Sequence, residues 1–382
     1  MSEAFGFDKE EALSLLRLLV TTNTVNPPGN EMLLAKKLKP ILEKEGFAVT
    51  IDEFVPSRCN MIVRYRGKAA TPEVVFTGHL DTVPLGDITW HHDPFGCEVE
   101  GDKAFGRGIS DMKSGVAAAL YSMILLKRSG YTPDHDIVFV ATAGEEKMSI
   151  GAFDFIKKGG MDHAGALIVC EPSSLELSPA HKGACFVKVE FFGKVAHGSM
   201  PHLGVNAIYH MASFAEALKN TAFDVKPDPH LGMPTVSLNL VKGGAALNVV
   251  PDHAECILDF RTIPGMKWSD IQKYIDSVLA KLAGTDGLKY SYEKIIELPS
   301  VACPSEDNIL KAFDEAAGHP LPRKYLVFYT DASAMVTKKG LPVVIFGPGE
   351  THMAHQPDEY VLLSKYYASI GIYQKFMQLY HF

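Results

Sequence analysis

Residues Val74–Pro84 read VVFTGHLDTVP. Val74–Phe76 is a β-branched and aromatic run, which suits a strand buried on both faces. As that run ends, Gly78, His79, Leu80 and Asp81 follow. Open α/β sheets bind ligands beyond the carboxyl ends of their strands, so His79 and Asp81 are predicted to face a crevice. The two alternate in extended backbone and point to one side. A metal-binding imidazole commonly gives its other N–H to a carboxylate, so Asp81 either orients His79 or is itself a ligand. Taken alone, the triplet also reads as a helix cap beside a surface histidine, and the rest of the chain has to decide.

At 382 residues the chain is long enough for two domains and a substantial core. Its 47% hydrophobic and 21% charged residues are those of an ordinary soluble globular protein. A formal charge of −8 leaves no basic footprint for nucleic acid or an anionic membrane. Cys59, Cys97, Cys170, Cys185, Cys256 and Cys303 are scattered with no CxxC pair. That spacing fits reduced thiols in a cytoplasmic protein better than a disulfide framework or a thiolate zinc site. The opening MSEAFGFDKEEALSLLRLLV mixes acids into its apolar positions and reads as an amphipathic helix, not a signal peptide. No run approaches the roughly 20 apolar residues of a membrane span.

Taken in order, TNTVNPPGN breaks the first helix, and Glu31–Glu45 resumes helical periodicity with Gly46 as its cap. CNMIVRYRG and EVVFTGHLD alternate as strands, and the glycine-punctuated stretch Gly86–Gly108 is a long loop of the kind that usually carries function. Gly115–Arg128 is an apolar helix, Asp136–Thr142 a strand, residues 150–160 helical, and Ala166–Cys170 a strand. Continuous apolar strands alternating with helices predict a largely parallel sheet covered by helices. Beyond Ser178 the strands alternate instead: Ala184–Gly193, Pro234–Val241, His253–Arg261 and Lys289–Ile295, with helices over Asn206–Lys219 and Ser269–Ala283. This strand–helix–strand–strand–helix–strand order predicts an inserted α+β unit of the ferredoxin-like type. The α/β pattern resumes with a helix at Asn308–Ala317, the strand PVVIFG and a helix at Leu363–Leu379. The expected organisation is a catalytic domain over residues 1–180 and 297–382, interrupted by a smaller domain over 181–296.

Four predicted strands end in metal-type ligands: VVFTGHLD, DIVFVATAGEE with Glu145 and Glu146, ALIVCEP with Glu171, and PVVIFGPGETHMAH with His352 and His355. Asp111, in GRGISDMKSG, adds a fifth position at a helix start. Each has a plain explanation alone, as a loop acid, a turn cap or a surface histidine. Their coincidence at one edge of one sheet is harder to dismiss. Histidines and carboxylates without thiolates suit Zn²⁺, Co²⁺ or Mn²⁺. Two such ions would need a bridging carboxylate and would lower the pKa of a held water. One of Glu145 and Glu146 then ligates while the other, raised in pKa by its acidic surroundings, takes the proton.

GHLDTVP, GRGISDMKSG, AGEE, CEP, AHGSMPHLGVNAI and GETHMAHQPDEY together resemble the M20 metallopeptidases and deacylases. Within them the chain is most similar to the acetylornithine deacetylase and succinyl-diaminopimelate desuccinylase branch. The resemblance implies a di-zinc amidohydrolase removing an acetyl or succinyl group from an N-acylated amino acid. It implies that His79 and Glu171 hold one zinc, Glu146 and His355 the other, and that Asp111 bridges both ahead of a cis peptide to Met112. Asp81 would orient His79, and Glu145 would be the general base. His355 is preferred to His352 because the family's ligand precedes a short segment ending in an acid, here His355-Gln356-Pro357-Asp358-Glu359. The inserted domain would be a lid that makes a homodimer, with His197 steadying the oxyanion in the partner's site. Asn248 in LNVVP and Arg261 in LDFRT match lid positions that bind the substrate's acyl or carboxylate end, to which the planar fork of an arginine is suited. The bland reading of Arg261 is a surface ion pair.

The chain departs from the desuccinylases at their Gly-, Ser- and Thr-rich substrate loop, which reads Tyr329-Thr330-Asp331-Ala332-Ser333 here. An acid at Asp331 suits either a positively charged substrate group or a cap for the following helix. Gly106-Arg107-Gly108 lacks the third glycine and the leading strand of a dinucleotide fingerprint, and there is no GxSxG elbow or Walker loop. The alternatives left are a di- or tripeptidase or carboxypeptidase of the same family, and a non-catalytic metal-dependent binding protein.

Overall fold

In the computed structural model, residues 6–304, 308–336 and 340–382 are described. The first five residues of the N-terminal helical reading lie outside them. The helix itself is Lys9–Val20, and it starts where Asp8 accepts hydrogen bonds from the amides of Glu10 (2.9 Å) and Glu11 (3.2 Å).

The principal sheet runs, edge inward, through Ala48–Val55, Arg58–Tyr65, His135–Thr142, Ala69–His79, Ala164–Val169, Val343–Ile345 and Leu177–His181. The four strands His135–Thr142, Ala69–His79, Ala164–Val169 and Val343–Ile345 are mutually parallel. The strands outside them join antiparallel, so the sheet is mixed and largely parallel at its centre. In register, His79 lies opposite Thr142, and Val169 opposite both Thr77 and Ile345. The carboxyl ends of the parallel strands therefore fall in one row. Ala48–Val55 escaped the sequence reading because Thr50, Asp52 and Glu53 interrupt its apolar run, as suits a half-exposed edge.

Helices Ser114–Arg128 and Leu363–Leu379 belong to the apolar core against this sheet. Phe76 meets Tyr373 and Phe376 edge-on at 5.6 and 6.0 Å, and Phe313 of helix Asn308–Ala317 stacks on Phe376 at 4.2 Å. The stretch Ile109–Arg128, a kinked turn at Asp111 and Met112 running into helix Ser114–Arg128, is long and apolar enough by composition to cross a membrane, which the sequence reading did not anticipate. In the fold, 89% of its apolar window is buried inside the protein.

The described chain divides into two compact units. One comprises the residues up to Ala180 with Ala302–Tyr325 and those from Thr330 onward; the other comprises His181–Val301 with Leu326–Tyr329. The second unit is an antiparallel sheet in the order Thr235–Gly243, His253–Thr262, Gly183–Phe192, Lys289–Leu298, with helices Ala207–Lys219 and Trp268–Ala280. Val187, Val189, Phe191, Leu258 and Phe260 pack with Phe214 and Ile275 of those helices. Side chains along His253–Thr262 alternate strictly between buried and partly exposed, as one covered sheet face requires.

Gly115 lets helix Ser114–Arg128 sit close against the end of strand Ala164–Val169. A Cβ there would collide with the carbonyl oxygen of Cys170, the residue before Glu171. Gly115→Ala is therefore expected to destabilise the fold by about 1–3 kcal/mol, as overpacking of a core does. The readout is a lower urea midpoint at unchanged slope. An unchanged midpoint would show that helix and strand end can part at no cost.

Candidate metal centre

The row of strand ends gathers the acids. His79 closes its strand with the ring buried; Nε2 lies 3.1 Å from Asp111 Oδ1 and 3.8 Å from Glu171 Oε1. Nδ1–H donates to the main-chain carbonyl of Asp81 at 2.9 Å, since a carbonyl can only accept. That contact orients the ring and leaves Nε2 aimed at the carboxylates. The contact expected from the Asp81 carboxylate is thus made by its main chain; Oδ1 stands 3.8 Å from Nδ1. The carboxylate has another task. It accepts from the amides of Gly144 (2.8 Å) and Glu145 (3.1 Å) and from Asn26 Nδ2 (2.9 Å). It therefore holds the turn that carries Glu145 and Glu146.

On the other side of Asp111, His355 Nε2 lies 3.5 Å from Oδ2 and 3.2 Å from Glu146 Oε1. Asp111 faces both histidines, one oxygen to each. Two triads share Asp111, His79–Asp111–Glu171 and Asp111–Glu146–His355, and a third, His79–Glu145–Glu146, stands beside them; the donor atoms within each lie within 4.8 Å of one another. Either of the first two could hold a divalent ion, and they share a single carboxylate. The peptide from Asp111 to Met112 is cis. His355 sits at φ +66°, a left-handed conformation uncommon outside glycine. His352 is turned to solvent, 3.9 Å from Glu350, and joins none of the triads.

The electrostatics fit a cation. Burial, with the charge of Asp111, pushes Glu171 well above the ordinary carboxylate range. Burial does the same to Glu145, with the charges of Glu171, Glu146 and Asp331 adding to it. Glu146 rises too, chiefly by burial. Burial disfavours charge on His79, yet its hydrogen bond to Asp111 and the charge of Glu171 outweigh that, so its pKa is raised. His355 is raised by its hydrogen bond to Glu146. Asp111 is lowered, because those two histidines overcome its burial. A cluster that draws protons onto its histidines and carboxyls is one short of positive charge, and oxygen and imidazole donors without thiolate suit Zn²⁺, Co²⁺ or Mn²⁺.

Asp331 is withdrawn from solvent at 2% exposure, with Oδ2 accepting from Thr142 Oγ1 at 2.5 Å. Its side chain caps no helix, so the capping reading is set aside. Several supporting residues escaped the sequence reading. Glu31 pairs with Arg58 at 2.5 Å, and Arg58 reaches Asn26, which holds Asp81. Asn60 accepts from the Ala143 amide at 3.1 Å and donates to Gly151 O at 2.9 Å, bracketing the Glu145 turn. These carry no motif, because single polar residues at scattered positions become legible only once the strands are side by side. Glu359, the acid that ends the segment begun by His355, binds the Asp111 loop.

His197, Asn248 and Arg261 belong to the second unit. His197 Nδ1 meets Ser199 Oγ at 2.8 Å, and the neighbouring Gly198 amide donates to Asn248 O at 2.7 Å, which sets the two segments together. Arg261 is engaged by Asp259, Nε to Oδ1 at 2.9 Å, with its guanidinium 5.8 Å from the Tyr329 ring. A further grouping, Glu190–His253–Glu255, lies on this unit's sheet and is partly exposed.

The sequence profile of peptidase family M20/M25/M40 matches residues 75–379. A probable succinyl-diaminopimelate desuccinylase of Staphylococcus aureus (strain MRSA252) is 29% identical over 97% of each chain. An acetylornithine deacetylase of Proteus mirabilis (strain HI4320) is 28% identical over 91% of each. Among solved structures, an M20 family metallo-carboxypeptidase from Sulfolobus solfataricus superposes with a TM-score of 0.78 at 20% identity. That superposition covers 98% of this chain and 99% of the other.

Zinc added to chelator-stripped protein is expected to raise the melting temperature in a concentration-dependent way. One tightly held ion contributes about 2.7 kcal/mol at a hundredfold excess over its Kd. His79→Ala should remove most of the gain. Melting indifferent to the cation would contradict this account of the cluster.

Proposed function

We propose, for a chain that belongs to peptidase family M20/M25/M40 and is a metal-dependent hydrolase acting on amide bonds, that it removes an acetyl or succinyl group from an N-acylated amino acid at a two-cation centre. The observation that carries the two-cation part is the sharing of Asp111 between both triads. His79, Asp111 and Glu171 would hold one ion, most simply Zn²⁺, and Asp111, Glu146 and His355 the other. Bound there, the ions supply Lewis-acid polarisation of the amide carbonyl and lower the pKa of water.

The protein's own groups do the rest. Glu145, buried and elevated in pKa, takes a proton from the attacking water onto its carboxylate and delivers it to the departing amine nitrogen. Asp81 keeps that carboxylate in place through the Gly144 and Glu145 amides. The second unit serves as lid and dimerisation domain in this reading, with His197 of one copy donating to the oxyanion in the other. Preorganised donors of that kind contribute on the order of 3 kcal/mol. Strand Thr235–Gly243 is a sheet edge with Leu240 and Val241 exposed, which suits pairing with a second copy. Asn248 and Arg261 would meet the acyl or carboxylate end of the substrate. The acyl-removing reading draws on the names of the two relatives; the wider fold also carries a carboxypeptidase.

Glu145→Gln should lower turnover by roughly 100- to 10,000-fold with about two metal ions per chain retained. Surviving activity would dismiss Glu145 as the base. The substrate class is tested by amine release from N-acetyl and N-succinyl amino acids beside di- and tripeptides, with zinc- or cobalt-loaded enzyme. Turnover of the acylated set is expected. Turnover of peptides alone would move the chain to the peptidase branch.

A further inference from the structure

Glu359 is buried at 1% exposure and belongs to neither triad. Its Oε2 accepts from Arg107 Nη1 at 2.8 Å and from the Gly108 amide at 2.9 Å. Its Oε1 accepts from the amides of Ser110 at 2.8 Å and Asp111 at 3.0 Å. All four donors lie on the loop that carries Asp111, and Glu359 stands four residues beyond His355. The main chains are tied as well: the Gly106 amide donates to Glu359 O at 2.9 Å, and Arg107 Nη1 reaches Gln356 O at 3.1 Å. An ionised carboxylate has only acceptors to offer, which matches four converging N–H groups. A glutamine would turn an NH₂ toward at least one of them.

We propose that Glu359 is a positioning residue that sets the spacing of Asp111 from His355, so that the Asp111–Glu146–His355 cation position depends on it more than the His79–Asp111–Glu171 position does. This rests on the two-cation reading above. Two of the three ligands in the Asp111–Glu146–His355 triad, Asp111 and His355, sit on segments that Glu359 ties together. In the other triad only Asp111 does; His79 and Glu171 issue from the adjoining strands Ala69–His79 and Ala164–Val169, which their own ladder holds in register. Loss of Glu359 therefore falls unevenly on the pair. A residue needed only for folding would not split the two affinities.

The test is calorimetric titration of zinc into chelator-stripped full-length protein, for wild type, E359Q and E359D. In E359Q the first equivalent should bind within about threefold of wild type and the second roughly 10- to 100-fold more weakly, the usual cost of losing an outer partner of a metal ligand. E359D, which keeps the charge on a shorter arm, should fall between. Equal weakening of both equivalents, or no change in either, overturns the proposal. Should E359Q fail to fold, E359D decides by the same criterion: a selective loss supports it, and an even or absent loss overturns it. Wild-type protein that takes up two equivalents, beside variants that lose both evenly, refutes Glu359 alone. Wild-type protein that takes up a single equivalent refutes the two-cation reading and this proposal with it.

Discussion

Asp111 presents one carboxylate oxygen to His79 at 3.1 Å and the other to His355 at 3.5 Å, and much of the first unit is arranged around that division. Around it stand Glu171, Glu146, Glu145 and Asp331, with burial, helped by neighbouring acids, raising all four. Left to themselves such groups would separate or take up protons. The fold holds them by fixing their main chains. Asp81 grips the amides of the Glu145 turn, and Glu359 grips those of the Asp111 loop. Acids that do not face the centre thus anchor acids that do.

The parallel core of the sheet explains why these groups meet. Register aligns His79 with Thr142 and Val169 with Ile345, so the segments that follow each strand emerge side by side. A sequence separation of up to 276 residues, His79 to His355, becomes a separation of one carboxylate. Lys113, just past Asp111, shows how dry the ground beneath is: burial pushes its pKa down to about 7, and its Nζ donates to Thr22 O at 3.0 Å.

Much of this was legible in the chain. Continuous apolar runs marked the parallel strands, and strict alternation marked the antiparallel unit, because sheets covered on both faces and on one face place different demands on successive side chains. His79, Glu145, Glu146 and Glu171 were legible because each closely follows an apolar run, whereas Asp111 and His355 were legible through the motifs GRGISDMKSG and GETHMAHQPDEY. What escaped has a common cause. Ala48–Val55 and Leu177–His181 lie at or towards the sheet margins, where polar or short segments blur the period. Asn26, Arg58 and Asn60 act through hydrogen bonds to groups distant in the chain, which leave no sequence period at all. The partner of Asp331, Thr142, is 189 residues away and left no local signal either.

The central claim is that two cations share Asp111, and anomalous diffraction from crystals of the zinc-loaded protein tests it most directly. Data collected at the zinc edge should give two peaks per chain, one on each side of the Asp111 carboxylate. The first should be bounded by His79 and Glu171, the second by Glu146 and His355. A single peak at full loading, or peaks away from Asp111, would contradict the account.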